Sequence, residues 1–390
     1  MPARSVPLQA LIAGVLAALV GFGSSFAVVI QGLAAVGANT AQIASALFAL
    51  CLVMGVLAVW LSLKWRMPVS IAWTTPGAAL LASTGAVPGG FEAAVGAFML
   101  AGVLIVLCGL WRPLGRWITA IPPALASAML AGVLLKLCLA PFVALGVIPG
   151  QALAVLAVYI LLNRFARLYA VPGAVVVALL LLALGPEAGL AGSLALPQPL
   201  FIRPVFTWDA AVGIALPLFI VTMASQNIPG LAILSVYGYR PKAGPIFRAT
   251  GLASMALASL GAPSCNLAAI TAALVASPEA HPDAARRYLA AVSAGFTYAL
   301  LALVAGIAAT VVTASPPLLI QAVAGLALLG SLGSSIVNGL QDESSRPAAI
   351  LTFLLTASGL SLWGIGSAFW GLLAGLAVHA LYRWPARRPL

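Results

Sequence analysis

A short apolar stretch between long apolar runs constrains this chain most. It extends from Gly261 to Ser277 and begins with residues that favour extended chain, among them Pro263 and Ser264, before a run of helix-forming residues. The apolar part is too short to cross a bilayer as a helix, which needs about 20 residues. A half-length element leaves backbone N–H groups unpaired at depth, and this is tolerated only where protein or a cavity satisfies them. The sequence therefore predicts a helix N-terminus that faces a cavity and favours anions.

Composition places this stretch in a membrane protein. The chain is 63% hydrophobic and only 6% charged, whereas soluble domains carry about 25% charged residues. The formal charge of +11 is spread over many loops, which indicates membrane orientation and not nucleic-acid binding. The four cysteines lie in apolar surroundings without CxxC spacing. We therefore expect no disulfide framework, metal site or cofactor.

Apolar runs bounded by Gly, Pro or charge predict fourteen transmembrane elements, seven on each side of a loop from Gly185 to Phe206. The third and tenth are each predicted to be a short strand followed by a half-helix. The predicted elements are Leu8–Val36, Thr40–Leu63, Pro68–Ser83, Phe91–Leu110, Ile121–Leu139, Leu153–Leu162, Val171–Leu184, Trp208–Leu234, Gly244–Leu260, Gly261–Ser277, Arg286–Val312, Pro317–Gly333, Ala348–Leu362 and Ile365–Tyr382.

The distribution of Lys and Arg predicts the orientation. When the N-terminal end with Arg4 is placed in the cytoplasm, nearly all basic residues collect at cytoplasmic ends, and only Lys136 and Arg203 fall on the other side. Such an asymmetry supports a multi-pass protein with both termini cytoplasmic. Because each half has an odd number of spans, the halves are inverted relative to each other.

The two halves also resemble each other in sequence. Ala78–Ser83 of the third element matches Ala272–Ser277 of the tenth, and this alignment places Ser70 opposite Ser264. About the same spacing places Gln31 opposite Gln226. Inverted repeats with discontinuous helices are typical of secondary transporters, whose substrate site lies at the repeat interface.

The two broken elements provide candidate binding residues. Thr75 is predicted to be the N-cap of the first half-helix, with Pro76 at the first helical position, and Ser264 or Asn266 could cap the second. Two N-termini that meet at the midplane suit a carboxylate. Trp73 would supply an aromatic wall or pack at an interface.

Amides in the long helices extend this predicted site. Gln226 and Asn227 lie inside an apolar span, and Gln31 is the matching position in the first span. Because amides in hydrocarbon need partners, each of these side chains faces either protein or ligand. The candidate substrate-binding residues are Gln31, Ser70, Trp73, Thr74, Thr75, Gln226, Asn227, Ser264 and Asn266.

A titratable cluster follows the second half-helix directly. Glu279, His281 and Asp283 lie in the link to the next span. They are candidates for proton coupling, and the alternative is a solvated loop with helix caps.

These residues resemble the family of BenE-type benzoate:proton symporters. The resemblance is carried by Ser70–Leu81, Thr222–Gly230, Asn266–Ala273, Pro278–Asp283 and Arg286–Gly295. It implies a fold similar to the nucleobase and sulfate permeases, in which a core domain moves against a gate domain. Nucleobase permeases carry acids in spans 8 and 10, where this chain has amides, and this fits an anionic substrate.

The resemblance also implies a domain organisation. Residues 1–111 and 207–313 would form the core domain, and residues 112–206 and 314–390 the gate domain. Relatives of this fold are often homodimers through the gate domain. The expected location is the bacterial inner membrane, in contact with the lipid bilayer.

The leading functional hypothesis is proton-coupled symport of benzoate or a similar small aromatic carboxylate by alternating access. The alternative on the same fold is an exchanger or channel for an inorganic anion such as bicarbonate or sulfate. We expect no enzyme and no catalytic residues, because both histidines, His281 and His379, lie at span ends.

Overall fold

The computed structural model describes residues 7–111, 121–184, 197–314, 316–363 and 365–383. Arg4 and residues 185–196 of the predicted central loop lie outside these ranges. The described chain is almost entirely helical, with one pair of very short strands.

The helices and strands are numbered here in chain order. They are α1 (Leu8–Ala35), α2 (Thr40–Trp65), β1 (Ile71–Trp73), α3 (Thr75–Thr84), α4 (Gly90–Leu110), α5 (Pro123–Val147), α6 (Pro149–Phe165), α7 (Ala170–Ala183), α8 (Trp208–Val236), α9 (Ala243–Ala258), β2 (Cys265–Leu267), α10 (Ala269–Ala276), α11 (Tyr288–Ala302), α12 (Ala305–Ala314), α13 (Pro317–Leu340), α14 (Arg346–Ala357) and α15 (Ser367–Arg383).

Among the described residues, six helices are long and apolar enough to cross a bilayer: α1, α2, α4, α5, α8 and α13. Large apolar side chains on their outer surfaces and on the shorter helices are exposed, for example Val56 at 56%, Leu153 at 60% and Leu180 at 54%. Contiguous exposure of this kind is compatible with lipid and not with water. The chain is therefore a helical, multi-pass membrane protein.

One predicted span is divided in the structure. The eleventh, predicted from Arg286 to Val312, forms α11 and α12. At the break, the N–H groups of Leu303 and Val304 donate to carbonyls three residues earlier, at 3.1 Å each. This tightened turn interrupts the α-helical pattern at Leu303 and Val304, neither of which is a Pro or Gly, and Gly306 follows two residues later.

Glycines allow close packing of the long helices. Helix α2 packs along α11, and α4 packs along α9. At the first contact, a side chain on Gly55 or Gly295 would collide with the backbone of the other helix. Gly102 and Gly251 have the same relationship at the second contact. Small residues at such crossings let membrane helices approach closely, which increases dispersion contacts.

Both half-length elements form as a strand followed by a short helix. Strands β1 and β2 pair antiparallel, with Ala72 opposite Asn266 at the centre. The first residues of β1 and β2 are 194 positions apart in the chain, and so are those of α3 and α10 and those of α5 and α13. A single spacing therefore relates the two broken elements and one pair of long helices, α5 and α13.

Candidate functional site

Two short helices begin at the strand pair, one at each end of it. Helix α3 begins directly after β1 and α10 directly after β2. Because the strands are antiparallel, the two short helices start at opposite ends of the pair and lead away from it. The Ala268 N–H donates to the Ser70 carbonyl at 3.0 Å, which fixes the start of α10 against β1.

The N-caps differ from the predicted ones. Thr74, not Thr75, caps α3, since its Oγ1 accepts from the Gly77 N–H at 3.1 Å. Ser264 and Asn266 do not cap α10, because the strand continues past them and Ala268 occupies the N-cap position without a side-chain hydrogen bond. The first turn of α10 therefore has no side-chain cap, and its backbone remains a donor site for an anion.

A cavity of about 80 Å³ lies at these two N-termini. It adjoins a larger cavity of about 440 Å³, with which it shares Pro76, Gln226, Ala327 and Ser331. The smaller cavity is lined by Val20, Gly21, Ser24, Ser25, Ala72, Trp73, Thr75, Pro76, Gln226, Ala268, Thr271, Tyr298, Ala327 and Ser331. No charged side chain is among these lining residues. The partial positive charge of the helix N-termini is therefore not cancelled by a nearby acid.

Trp73 forms an aromatic wall of the cavity. Its ring is 3% exposed, and its Nε1 donates to Ser25 Oγ at 2.8 Å. Phe22 lies against it at 5.6 Å between ring centroids and stacks on Phe26 at 5.2 Å. The hydrogen bond satisfies the polar edge of the indole, and the rest of the ring is apolar wall.

The two amides of α8 have different positions. Both lie in a π-helical turn, Met223–Asn227, a local widening that is frequent at functional sites. Gln226 lines both cavities. Asn227 is fully buried behind β2, where its Oδ1 accepts from the Leu267 N–H at 3.1 Å. Asn227 therefore positions the strand and does not reach the cavity.

Three further predicted residues lie behind the cavity. Ser70 is hydrogen-bonded to Thr271 Oγ1 at 2.7 Å, and Thr271 itself lines the cavity. Ser264 and Asn266 are fully buried, and Ser264 Oγ and Asn266 Oδ1 have no hydrogen-bond partner among the described residues. Asn266 Nδ2 donates to the Leu267 carbonyl at 2.8 Å.

Gln31 is not part of this cavity. It lines a separate space of about 450 Å³ with Thr313 and Gln321, further along α1. Helix α8 has a π-helical turn at Ala211–Ala215, before Gln226, and a second at Met223–Asn227, whereas α1 is regular throughout. An extra residue in a turn rotates the later residues of the helix by about 100°, so equal sequence spacing does not place the two amides on equivalent faces.

The predicted list of binding residues omitted five polar cavity residues: Ser24, Ser25, Thr271, Tyr298 and Ser331. Tyr298 is 2% exposed, in the middle of α11. The sequence did contain a signal for them, because a hydroxyl inside an apolar helix needs a hydrogen-bond partner or a cavity. Ser331 also belongs to a polar stripe on α13 with helical spacing.

The predicted proton-coupling residues lie outside the cavity, in the link after α10. Glu279 and Asp283 are exposed and His281 is partly buried. The Asp283 Oδ1 accepts a hydrogen bond from the Ala285 N–H at 2.9 Å, and its Oδ2 lies 3.6 Å from the Arg286 Nε.

Arg287 connects this link to the end of α10 by hydrogen bonds. It is 7% exposed and donates to the carbonyls of His281 at 2.7 Å, Ala276 at 3.0 Å and Pro282 at 3.2 Å. Ala276 is the last residue of α10, where a cation is favoured by the helix dipole. The neighbouring Tyr239 hydroxyl donates to the Ala284 carbonyl at 2.8 Å. Burial raises the pKa of Tyr239 above its usual value, although Arg287 acts in the opposite direction.

The fold resembles that of anion transporters of known structure. The transmembrane domain of the cyanobacterial bicarbonate transporter BicA matches with a TM-score of 0.60 and 16% identity, over 96% of this chain and 98% of that one. SLC26A9 matches with a TM-score of 0.64 and 15% identity over 95% of this chain, which spans 65% of that protein's chain. At these identities the similarity establishes the fold alone.

Sequence relatives identify the family. The inner membrane protein YdcO of Escherichia coli K12 is 43% identical over 95% of both chains. The benzoate membrane transport protein of Acinetobacter baylyi ADP1 is 32% identical over 97% of this chain and 96% of its own. The model of the BenE family, described as benzoate membrane transport protein, matches residues 4–381. This chain is therefore a membrane transport protein that belongs to the BenE family.

Proposed function

We propose that this chain is a secondary transporter of benzoate or a similar small aromatic carboxylate. One observation carries the proposal: two half-helix N-termini face a cavity that has an aromatic wall at Trp73 and no charged lining residue. The carboxylate would lie between the N-termini, near the first turns at Thr75 and Thr271, and the ring would lie against Trp73. Gln226 would orient the anion by hydrogen bonding.

The chemistry of this arrangement favours a carboxylate over a neutral or cationic ligand. Backbone N–H groups and hydroxyls bind an anion without the desolvation cost of a buried Lys or Arg. An acid at the same depth would repel the ligand, and Gln226 provides an amide instead. The relative from Acinetobacter baylyi is named for benzoate transport, which supports the aromatic carboxylate as the substrate class.

Alternating access would follow from two inverted repeats. The spacing of 194 residues that relates β1 to β2 and α5 to α13 supports this arrangement. So does the packing of α2 on α11 and of α4 on α9, since a shift of about 200 residues relates α2 to α9 and α4 to α11 and so converts one pair into the other. The core domain would comprise residues 1–111 and 207–313, and the gate domain residues 112–206 and 314–390.

Three further assignments belong to this proposal. The relative YdcO is named as an inner membrane protein, which supports an inner-membrane location with both termini cytoplasmic. A homodimer would form through the gate domain. Protons would drive uptake through the link of Glu279, His281 and Asp283, which Arg287 couples to α10.

Counterflow in proteoliposomes tests the function. Vesicles loaded with unlabelled benzoate should accumulate labelled benzoate, and an inward proton gradient should increase uptake. The control protein is Trp363→Phe, because Trp363 is 81% exposed and is not among the residues that line the cavity. Benzoate uptake at the same rate with and without the proton gradient would exclude proton symport. Absence of counterflow would exclude benzoate as a substrate.

The small size of the inner cavity, about 80 Å³, supports one alternative. An inorganic anion such as bicarbonate or sulfate would occupy the N-termini without using the aromatic wall. Competition distinguishes the two hypotheses. If the alternative holds, labelled sulfate or bicarbonate should exchange and unlabelled benzoate should not compete with it, whereas an aromatic carboxylate site should exchange labelled benzoate and lose that exchange to a second aromatic carboxylate.

A further inference from the structure

The larger cavity forms a polar route that leads away from the two N-termini. Its wall on α13 consists of residues with helical spacing: Ala327, Gly330, Ser331, Ser334, Ser335 and Asn338. Ser127 and Ser225 face it from α5 and α8. Such a stripe inside an apolar helix is costly in contact with lipid, so it marks a water-accessible face.

Exposure shows which end of this route is open. Along α13, Ser331 at the inner cavity is partly buried, whereas Ser334 and Asn338 are exposed. Arg167, in the short turn before α7, is also exposed and lines the same cavity. The mouth therefore lies at Asn338 and Arg167, and the closed end lies at Trp73.

Arg167 is the one charged side chain among the described residues that line either cavity. The ion pairs of the described chain are Arg286–Asp283 and Arg346–Glu343, so no acid among the described residues pairs with Arg167. A cleft with a single sign of charge and low-dielectric walls concentrates ions of the opposite sign at its mouth.

We propose that Arg167 recruits small organic anions, carboxylates above all, to the mouth of this route before they pass along the α13 stripe to the two N-termini. The passage to the N-termini rests on the proposed function, whereas the recruitment rests on the mouth alone. Serine hydroxyls and an amide then line the route without a second charge. The anion is attracted at the entrance and is not trapped by a cation further inside.

The cavity that contains Gln31 has no counterpart of Arg167 in its described lining. The cavity that contains Gln31 is lined by Thr313 and Gln321 and by apolar side chains, without a charged residue among the described ones. The protein should therefore have a lower apparent KM for anions on the Arg167 side than on the Gln31 side.

The potential at the mouth can be measured without knowledge of the substrate. A thiol introduced by Asn338→Cys would react with methanethiosulfonate reagents of opposite charge, one a sulfonate and one a trimethylammonium. The four native cysteines are buried, which keeps the background low. Combining this thiol with Arg167→Gln should lower the ratio of anionic to cationic reaction rates by about threefold or more at low salt. The difference should shrink in 1 M salt, where the Debye length is about 3 Å.

Two variants control this measurement. Arg167→Lys should keep the ratio, because it retains the charge. Arg164→Gln should also keep it, because Arg164 is exposed one turn earlier, lies over the Phe165 ring at 5.9 Å and does not line the cavity. The proposal would be overturned if the ratio of anionic to cationic reaction rates were unchanged in Arg167→Gln, or if it fell equally in Arg164→Gln.

Benzoate exchange provides the second readout. Arg167→Gln should raise the KM on the Arg167 side several-fold at low salt, with little change in maximal rate and no change on the other side. Equal effects on both sides would contradict a recruiting role. If the wild-type protein exchanges no benzoate but the thiol ratio depends on Arg167, the proposed substrate fails and the recruitment of anions stands.

Discussion

Asn227 Oδ1 accepts a hydrogen bond from the Leu267 N–H at 3.1 Å, and this contact ties the π-helical turn of α8 to strand β2. Both residues are completely buried. The neighbouring Gln226 lines the cavities instead. Of the two consecutive amides, Asn227 therefore holds the strand pair in place and Gln226 faces the cavities.

Replacing Asn227 should destabilise the protein. Asn227→Leu removes the acceptor and leaves the buried Leu267 N–H unpaired, which costs about 1–3 kcal/mol. We expect a lower melting temperature of the purified protein in detergent. The matched control is Asn163→Leu, since Asn163 is exposed on α6. Equal melting temperatures for the two variants would remove the positioning role.

Replacing Gln226 should weaken ligand binding more than it lowers stability. Gln226→Leu keeps the size of the side chain but removes polar atoms from the cavity wall, so benzoate binding should weaken by about tenfold, the loss expected for a hydrogen bond to a charged ligand. The melting temperature should change less than it does in Asn227→Leu. Titration calorimetry with benzoate checks this, and wild-type affinity would exclude Gln226 from the site.

The ring of Trp73 should contribute through its face. Trp73→Phe loses the hydrogen bond to Ser25 but retains an aromatic wall, so we expect affinity for benzoate within a few-fold of wild type. Trp73→Leu loses the aromatic contact, which is worth about 0.5–1.5 kcal/mol, and affinity should fall by up to about tenfold. Trp363→Leu serves as the control. Identical affinities in the Phe and Leu variants would show that the ring face does not contact the ligand.

The sequence was sufficient to predict two broken elements, each a short strand followed by a half-helix, but not the antiparallel pairing of the two strands. A strand-forming lead, a helix start and too few apolar residues for a span occur at both Ile71–Thr84 and Cys265–Ala276, and the structure has a strand and a short helix at each. These features depend on local composition and length, which a sequence displays directly.

The residues that line the cavity were harder to predict from the sequence. Thr74 and Thr75 are equally good N-caps by type, and only the backbone course selects Thr74. Asn227 and Gln226 are adjacent amides whose orientation depends on a π-helical turn that no residue type announces. Tyr298 and Ser331 come from distant parts of the chain, so their meeting at Trp73 is a consequence of tertiary packing.

The link after α10 should separate proton coupling from exchange. A variant with Glu279→Gln, His281→Gln and Asp283→Asn removes titration there, while Arg287 retains its bonds because they end on backbone carbonyls. If protons act at this link, the variant should exchange benzoate without a gradient but should lose accumulation driven by a pH gradient.

Two controls make this outcome specific to titration. Glu343→Gln removes an acid that is 85% exposed and paired with Arg346, so gradient-driven uptake should persist. Arg287→Lys keeps the charge but cannot reach three carbonyls in the fork geometry of a guanidinium, so exchange should slow with and without the gradient. Gradient-driven accumulation that survives in the triple variant would exclude the link and move the search for the proton site to the cavity itself.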